Sequence, residues 1–244
     1  MAYSLLVSFH VAAGTLALLT FWVTAALRKG TRLHSRVGGT YLLSMVAVLA
    51  TTPILAGVAV VRGDAVTGAF LAYLTVITAT AVWSAWRAIR DRATPGAFFG
   101  RRSAAIGALN LASGAAVLVV GLRTGQWVLV GMSLIGLSLG ANMLRQARRP
   151  PTTGGWWLRQ HYGAILGCGI ATHIAFLNIG LQRLWPGLES TTQYLGWFGP
   201  LVAAVLARLW LDRRYGRGPR GNALAAQAST PGAPPARAVV DAAR

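Results

Sequence analysis

The sequence predicts an all-α, polytopic membrane helix bundle with about seven transmembrane helices. Hydrophobic residues make up 55% of the 244 residues and charged residues only 11%, which is far from the composition of a soluble domain. Apolar stretches of about 20 residues, the length that crosses a hydrocarbon core of about 30 Å, recur along the chain.

Seven segments have this length and composition: 3–27, 39–61, 65–86, 103–122, 126–144, 160–182 and 193–211. The first lacks a positively charged start and is longer than the roughly 7–15 apolar residues of a signal peptide, so we interpret it as a retained span. Only residues 123–125 separate the fourth and fifth segments, which predicts a tight helical hairpin. Gly136 and Gly140, and likewise Gly163 and Gly167, permit close approach of helices.

The distribution of basic residues predicts the orientation. Twenty of the 23 Lys and Arg residues fall on one side of the predicted spans, and three, Arg62, Arg123 and Arg183, fall on the other. Because cytoplasmic loops carry the excess of Lys and Arg, we expect the N-terminus outside and the C-terminus in the cytoplasm. Tryptophans near the predicted span ends are expected at the membrane interfaces; they are Trp86, Trp127, Trp156, Trp157, Trp185 and Trp210.

The chain divides into a transmembrane bundle, 1–215, and a tail, 216–244. The tail is rich in Ala, Pro, Gly and Arg and has almost no large apolar side chains, so we expect a disordered basic cytoplasmic tail. The net charge of +18 is concentrated in short loops beside apolar segments, which predicts contact with anionic lipids rather than with nucleic acid. The expected location is a bacterial cytoplasmic (inner) membrane.

Histidines are the residues most able to carry chemistry, because none of the five acidic residues falls within a predicted span. His10 and His173 lie at similar depth in the outer half of the first and sixth segments. His34 belongs to the first cytoplasmic loop and His161 opens the sixth segment, so these two share the inner interface. An ionisable residue at membrane depth is a functional-site hypothesis by default.

A pair of neutral imidazoles is what a b-type haem requires, since each ring binds iron through one nitrogen while the other donates a hydrogen bond. His161 and His173 are separated by about 18 Å along a helix, so one or two haems b could move electrons across the bilayer. Gly14 and Gly167 would let a flat macrocycle approach the backbone. His161 and His173 are, however, roughly 120° apart around a helix, so they do not share one face. Either the helix starts after His161, or only one pair binds a cofactor. The matched depth of His10 and His173 predicts that they form the outer axial pair of a haem b.

A spaced motif runs through the first loop and the second segment: Lys-Gly-x3-His-x3-Gly-x2-Tyr-x3-Met, formed by Lys29, Gly30, His34, Gly38, Tyr41 and Met45. The motif resembles an uncharacterised family of bacterial multi-pass predicted membrane proteins, a domain of unknown function. The segment around His161 is similar to that family's late histidine-containing helix. The resemblance implies a multi-pass fold and supports taking His10, His34 and His161 as one set of residues. It implies no established reaction.

Two classes of function remain open. The first is a b-type cytochrome-like electron-transfer protein, an oxidoreductase that takes electrons from a quinol or another redox partner. The alternative is a non-redox transporter, accessory subunit or assembly subunit whose histidines bind a metal or stabilise packing. The spans contain no carboxylate, which argues against ion-coupled transport. The sequence has no P-loop, dinucleotide fingerprint, zinc-protease motif or nucleophile elbow, so nucleotide-driven and hydrolytic roles are disfavoured.

Overall fold

The computed structural model describes residues 1–151, 154–180 and 193–215, and this part of the chain folds into helices without any strand. The predicted tail, 216–244, lies outside the described residues. So do residues 181–192, which include the end of the sixth predicted segment together with Arg183 and Trp185.

Each of the seven predicted segments corresponds to one long helix, and one short helix was not predicted. The helices are α1 (Ala2–Ala26), α2 (Arg32–Val61), α3 (Ala65–Arg90), α4 (Pro95–Phe98), α5 (Arg101–Thr124), α6 (Trp127–Arg148), α7 (Trp156–Ala175) and α8 (Gln193–Tyr215). A π-helical turn, Phe176–Gly180, continues α7. The unpredicted helix, α4, has a proline at its first position, where the missing N–H costs nothing.

Six helical stretches of the described chain are long and apolar enough to cross a membrane: α1, α2, α3, Pro95–Thr124, α6 and Tyr194–Tyr215. Helix α7 is not among them, because polar residues such as Gln160 and His161 interrupt its apolar character. It packs against α3, α8 and α1. A comparatively polar helix is therefore surrounded by apolar ones, as expected where polar groups must be kept away from lipid.

Two helices begin earlier than hydropathy predicted. Helix α2 begins at Arg32, and the Thr31 hydroxyl accepts a hydrogen bond of 3.2 Å from the backbone N–H of His34. The placement of His34 in a loop was therefore wrong: Thr31 caps a helix whose first turns are polar. Helix α7 begins at Trp156, so the alternative in which the helix starts after His161 was also wrong.

The predicted hairpin of α5 and α6 is confirmed. Gly125 adopts a left-handed φ of 69° directly after α5, and α6 begins two residues later. A Cβ added at Gly140 would stand 2.5 Å from the carbonyl oxygen of Gly107, so the two backbones touch. A Cβ added at Gly136 would stand 2.8 Å from the ring of Tyr73 in α3. The close approach predicted for Gly136 and Gly140 is therefore present in the structure.

Besides the α5–α6 hairpin, four helices form a ring. In this ring α1 contacts α2, α2 contacts α3, α3 contacts α7, and α7 contacts α1. Helices α2 and α7 thus lie diagonally across the ring. Its interior is filled by buried residues from all four helices, namely Ala17, Tyr41, Met45, Val82 and Cys168.

One end of the molecule, which we call the arginine-rich end, is where α1, α3, α6 and α8 finish and α2, α5 and α7 begin. Side-chain contacts bring these termini together: Gln160 of α7 donates to Gln146 of α6 (2.8 Å), and Trp156 packs on Phe98 and Phe99 beside α3. Trp156 is buried in this aromatic cluster, so its predicted place at the lipid interface was wrong. Trp86, Trp127 and Trp210 are exposed, as an interfacial role requires.

Candidate functional site

The diagonal helices α2 and α7 present side chains at identical intervals. His34, Tyr41 and Met45 follow one another at spacings of seven and four residues, and so do His161, Cys168 and Thr172. Residues separated by seven or eleven positions share one face of a helix. Both helices begin at the arginine-rich end and run in the same direction, so equivalent positions lie at similar depth.

Two of these three levels are in direct contact. Tyr41 and Cys168 belong to the same buried cluster, and the Thr172 hydroxyl donates to the sulfur of Met45 at 3.5 Å. The third level is that of His34 and His161, which are close enough to interact electrostatically. The two histidines therefore occupy matching positions across the ring, about 10 Å from the Tyr41 level toward the arginine-rich end.

The helices between them hold both rings. Nδ1 of His161 donates to the carbonyl oxygen of Ala85 on α3 at 2.9 Å, and Nδ1 of His34 donates to the carbonyl oxygen of Thr24 on α1 at 3.3 Å. A carbonyl only accepts, so Nδ1 carries the proton and Nε2 of a neutral ring keeps its lone pair. Neither Nε2 atom has a hydrogen-bond partner among the described residues.

Small residues and one unpaired hydroxyl lie near the inner histidines. Ala85 has a small side chain and Gly38 has none. Thr24, whose carbonyl accepts from His34, has a buried hydroxyl without a hydrogen-bond partner in the described part of the chain. The buried Tyr41 hydroxyl lies toward Thr172, at the level farther from the arginine-rich end. Of these two hydroxyls, only that of Thr24 lies beside the histidine pair.

Lys29 stands next to the site, in the turn between α1 and α2. Its ammonium group donates to the carbonyl oxygens of Thr24 (2.9 Å) and Ala25 (2.8 Å), which would otherwise end α1 unsatisfied. Burial lowers the pKa of Lys29 from its ordinary value. The oxygen of Thr24 thus accepts from both Lys29 and His34, and this fixes the turn that positions the histidine.

The outer histidines have different surroundings. His10 donates from Nδ1 to the Thr51 hydroxyl at 2.7 Å, because the hydroxyl proton is already given to the Val48 carbonyl. In His173, Nδ1 donates to the carbonyl of Gly169 (2.7 Å) and Nε2 accepts from the Trp22 indole (3.0 Å). Both nitrogens of the His173 ring are therefore occupied.

The outer pair is not brought together in the way that the inner pair is. His10 contacts α2 through Thr51, whereas His173 lies against Phe21 and Trp22 of α1, with ring centroids 5.4 and 5.5 Å away. Trp22 follows His10 by twelve residues, about 18 Å along α1.

The two predicted glycines make few contacts. No atom lies within 4 Å of a Cβ added at Gly14, and one added at Gly167 would be 3.6 Å from the Cβ of Ala81. Neither position needs a glycine to accommodate a neighbouring residue. Gly163 does, because the guanidinium group of Arg208 lies directly on its α-carbon.

Within the described residues, no three His, Cys, Asp or Glu side chains come together as a metal site would require. A bis-imidazole haem needs only two protein ligands. The inner histidines offer such a pair, whereas a structural zinc ion would need four protein ligands.

Sequence reasoning missed two interactions near the site. Asp212 was placed beyond the last span, but α8 extends to Tyr215 and the Tyr162 hydroxyl donates to its carboxylate. The hydrogen bond from Trp22 to His173 joins residues that are remote in sequence and carried no sequence signal. By contrast, the shared spacing of His34, Tyr41 and Met45 with the three α7 residues was visible, once α2 is extended to Arg32.

Comparison with family models, with curated proteins and with solved structures finds no significant match for this chain.

Proposed function

We propose that this chain is a membrane-embedded b-type cytochrome-like protein in which His34 and His161 are the axial ligands of one haem b. The observation that carries the proposal is the matched pair of imidazoles across the four-helix ring. Each Nδ1–H is held by a main-chain carbonyl and each Nε2 has no partner in the described chain.

The arrangement has the chemistry that haem ligation requires. A histidine ligand almost always donates its second ring N–H to a carbonyl, carboxylate or water, which fixes the tautomer and makes the free nitrogen more basic. Ligands on facing helices of a bundle are a common way to hold a cofactor in its core. Ala85 and Gly38 add no bulky side chain near the two rings, and the donor chemistry of the rings is what fits the group.

The remaining residues of the site supply orientation and charge. Thr24 offers a buried hydroxyl without a hydrogen-bond partner in the described chain, and two basic residues, Arg32 and Arg36, flank His34. Guanidinium groups are suited to the carboxylates of haem propionates. When bound, haem b supplies a one-electron carrier whose potential depends on its axial ligands and surroundings. The expected donor is a quinol or another reductant of the membrane.

The cofactor is proposed at the inner pair, His34 and His161, whereas the sequence analysis predicted the outer pair, His10 and His173, as the axial ligands. A haem on His10 and His173 would require Trp22 to release the Nε2 atom of His173. The non-redox alternative draws its support from that same residue, since a histidine with both nitrogens hydrogen-bonded has a packing role. The cytochrome proposal and a packing role for His173 are compatible if His34 and His161 bind the haem and His173 only stabilises helix packing.

We also infer seven crossings, with the N-terminus outside and the arginine-rich end in the cytoplasm of a bacterial inner membrane. Helix α7 has 20 residues, so it is about 30 Å long, and its neighbours α3 and α8 shield its polar side chains. A reporter fused after Arg220 should be active only as a cytoplasmic fusion, and one inserted in 187–193 only as an external one. The reverse pattern would overturn the proposed orientation. If both reporters are active on the same side, the last helix does not cross the membrane and the proposal of seven crossings is rejected.

The absorption spectrum of protein purified from haem-replete cells tests the cofactor. A low-spin bis-imidazole haem gives a Soret band that shifts on reduction with dithionite, and we expect that spectrum in the unmodified protein. Purified protein without Soret absorbance would reject the proposal and leave the non-redox class.

Single substitutions test the ligand assignment. His34→Ala and His161→Ala should each abolish the low-spin spectrum, because loss of one axial ligand leaves five-coordinate or absent haem. His173→Ala and His10→Ala are the matched controls and should retain it. A spectrum that survives both inner substitutions and disappears with either outer one would move the haem to the outer pair.

A further inference from the structure

A groove at the arginine-rich end lies between the start of α7 and the end of α8. It has a volume of about 390 Å³ and is lined by Arg159, Arg208, Leu209, Asp212 and Arg213. Three guanidinium groups thus face one carboxylate. The groove lies outside the four-helix ring, and the proposed haem site does not use it.

The single carboxylate is already engaged within the protein. One oxygen of Asp212 accepts from the Tyr162 hydroxyl, and the other accepts from Nε of Arg208 at 3.4 Å. Since both oxygens are occupied, Asp212 acts as an anchor for Arg208 rather than as a free counter-charge. The groove keeps an excess of positive charge after this pairing.

Arg208 is held in one place by two further contacts. Its guanidinium lies over the Tyr162 ring, 5.5 Å from the centroid, and rests on the α-carbon of Gly163. A side chain at position 163 would displace it. The terminal nitrogens of Arg208 have no hydrogen-bond partner among the described residues and 46% of the side chain is exposed, so they can donate to a ligand. Guanidinium groups bind phosphate oxygens through parallel N–H donors.

Neighbouring aromatic residues indicate the depth of the groove. Trp210 follows Arg208 on α8, is 55% exposed and carries the guanidinium of Arg214 over its ring at 5.3 Å. Exposed tryptophans paired with basic residues are typical of the headgroup level of a bilayer. A groove at this level opens toward lipid headgroups.

We propose that this groove is a binding site for a phosphate group, supplied by the headgroup of an anionic phospholipid. Basic pockets between helices on the cytoplasmic side are a known way to bind such headgroups. The site differs from the general attraction between basic loops and an anionic surface, because it is built around one anchored arginine. A free phosphate ion offers the same oxygens, so the test must separate the two sources.

The test measures the melting temperature of the full-length protein in neutral detergent. Three titrants are compared: short-chain phosphatidylglycerol, short-chain phosphatidylcholine and inorganic phosphate. A ligand that binds the folded state raises the melting temperature with concentration. Stabilisation by phosphatidylglycerol but not by phosphatidylcholine supports the lipid source, and equal stabilisation by inorganic phosphate keeps the site but assigns it to a soluble anion. No stabilisation by either anion overturns the proposal.

Two substitutions with opposite expected effects on the affinity test whether phosphatidylglycerol binds in this groove. Arg208→Gln should weaken the apparent affinity for phosphatidylglycerol about fivefold, the effect of one basic side chain near a membrane surface. Asp212→Asn removes the one carboxylate that lines the groove and should strengthen binding about twofold or more, because Arg208 still lies against Tyr162 and Gly163 while the opposing negative charge is gone. Misfolding cannot produce a gain in affinity.

Arg148→Gln, an exposed substitution at the end of α6, is the matched control and should leave the affinity unchanged. If Arg148→Gln weakens binding as much as Arg208→Gln does, the attraction is that of the whole basic surface and the site is rejected.

Discussion

The α5–α6 hairpin and the four-helix ring of α1, α2, α3 and α7 differ in how they are held together. In the hairpin, glycines allow backbones to touch: a Cβ at Gly107, Gly114 or Gly121 would meet atoms of α6 at about 3.0 Å. In the ring, helices α2 and α7 are separated by side chains, and hydrogen bonds from histidines and hydroxyls connect the elements.

This difference indicates a division of labour. Lipid tails are as apolar as leucine, so membrane helices associate through van der Waals packing and interhelical hydrogen bonds. The hairpin relies on packing and contains no histidine, whereas the ring contains all four histidines together with the unpaired hydroxyls of Thr24 and Tyr41. Stability and site chemistry should therefore respond to different substitutions.

The largest effect is expected at Gly140. Gly140→Val places a branched side chain against the carbonyl oxygen of Gly107 and the backbone nitrogen of Leu111, and neither can move without separating the helices. We expect the free energy of unfolding in detergent to fall by at least about 2 kcal/mol. Any haem spectrum of the folded fraction should be unchanged.

Gly57→Ala in α2 is the matched control, because no atom lies within 4 Å of the added Cβ. Its unfolding curve should match that of the unmodified protein or shift slightly upward. Equal destabilisation by both substitutions would contradict the view that the hairpin is the closely packed region.

A smaller effect is expected where α3 joins the two regions. The Tyr73 hydroxyl donates to the carbonyl of Met132 (2.7 Å) and accepts from the N–H of Gly136 (2.9 Å), so it is inserted between two groups four residues apart in α6. In Tyr73→Phe these groups can bond to each other as in a regular helix. We therefore expect a loss of only about 1 kcal/mol, measured by equilibrium unfolding. A loss above about 3 kcal/mol would mean that α6 cannot close the bond.

The sequence predicted the number of helices well because length and apolar character decide whether a segment can cross a membrane. It also predicted the hairpin, since only residues 123–125 separate the two apolar segments, and the structure shows that Gly125 supplies the left-handed helix end. The start of α2 was missed for the opposite reason. Its first turns contain Arg32, His34 and Arg36, and hydropathy measures preference for lipid rather than helix formation.

The candidate site was predictable only in part. Histidines were identified as unusual residues, but their partners are main-chain carbonyls, such as that of Ala85, which carry no sequence signal. Pairing by depth suggested His10 with His173, whereas the described structure gives them separate partners. Which helices face each other depends on tertiary packing, and a single sequence does not encode it in a readable pattern.

Trp22 offers a test within the ring itself. Trp22→Phe removes the indole donor to His173 and should lower the free energy of unfolding by about 0.6 kcal/mol, typical of one hydrogen bond in a membrane protein. Trp86→Phe is the matched control, with a similarly exposed indole stacked under Arg90. Trp22→Phe also frees Nε2 of His173, so an increase in low-spin haem in this variant would indicate a ligand role for His173.

The smallest effect is expected at Asp64, an exposed residue that caps α3, the helix shared by both regions. Its carboxylate accepts hydrogen bonds from the Thr67 side chain and, at 3.0 Å, from the Thr67 backbone N–H, and these bonds lower the pKa of Asp64 below its ordinary value of 3.8. A carboxyl group with a lowered folded-state pKa stabilises the protein fully above its ordinary pKa, and the stabilisation is lost as the pH falls through the folded value. Asp64→Ala should therefore lower the melting temperature slightly at pH 6, and the difference from the unmodified protein should shrink as the pH is lowered well below 3.8.

Asp64→Asn keeps a capping oxygen without the titrating charge, so its melting temperature should stay above that of Asp64→Ala by an amount independent of pH. A difference between Asp64→Ala and the unmodified protein that persists undiminished in acid would show that the cap acts through packing rather than through its charge.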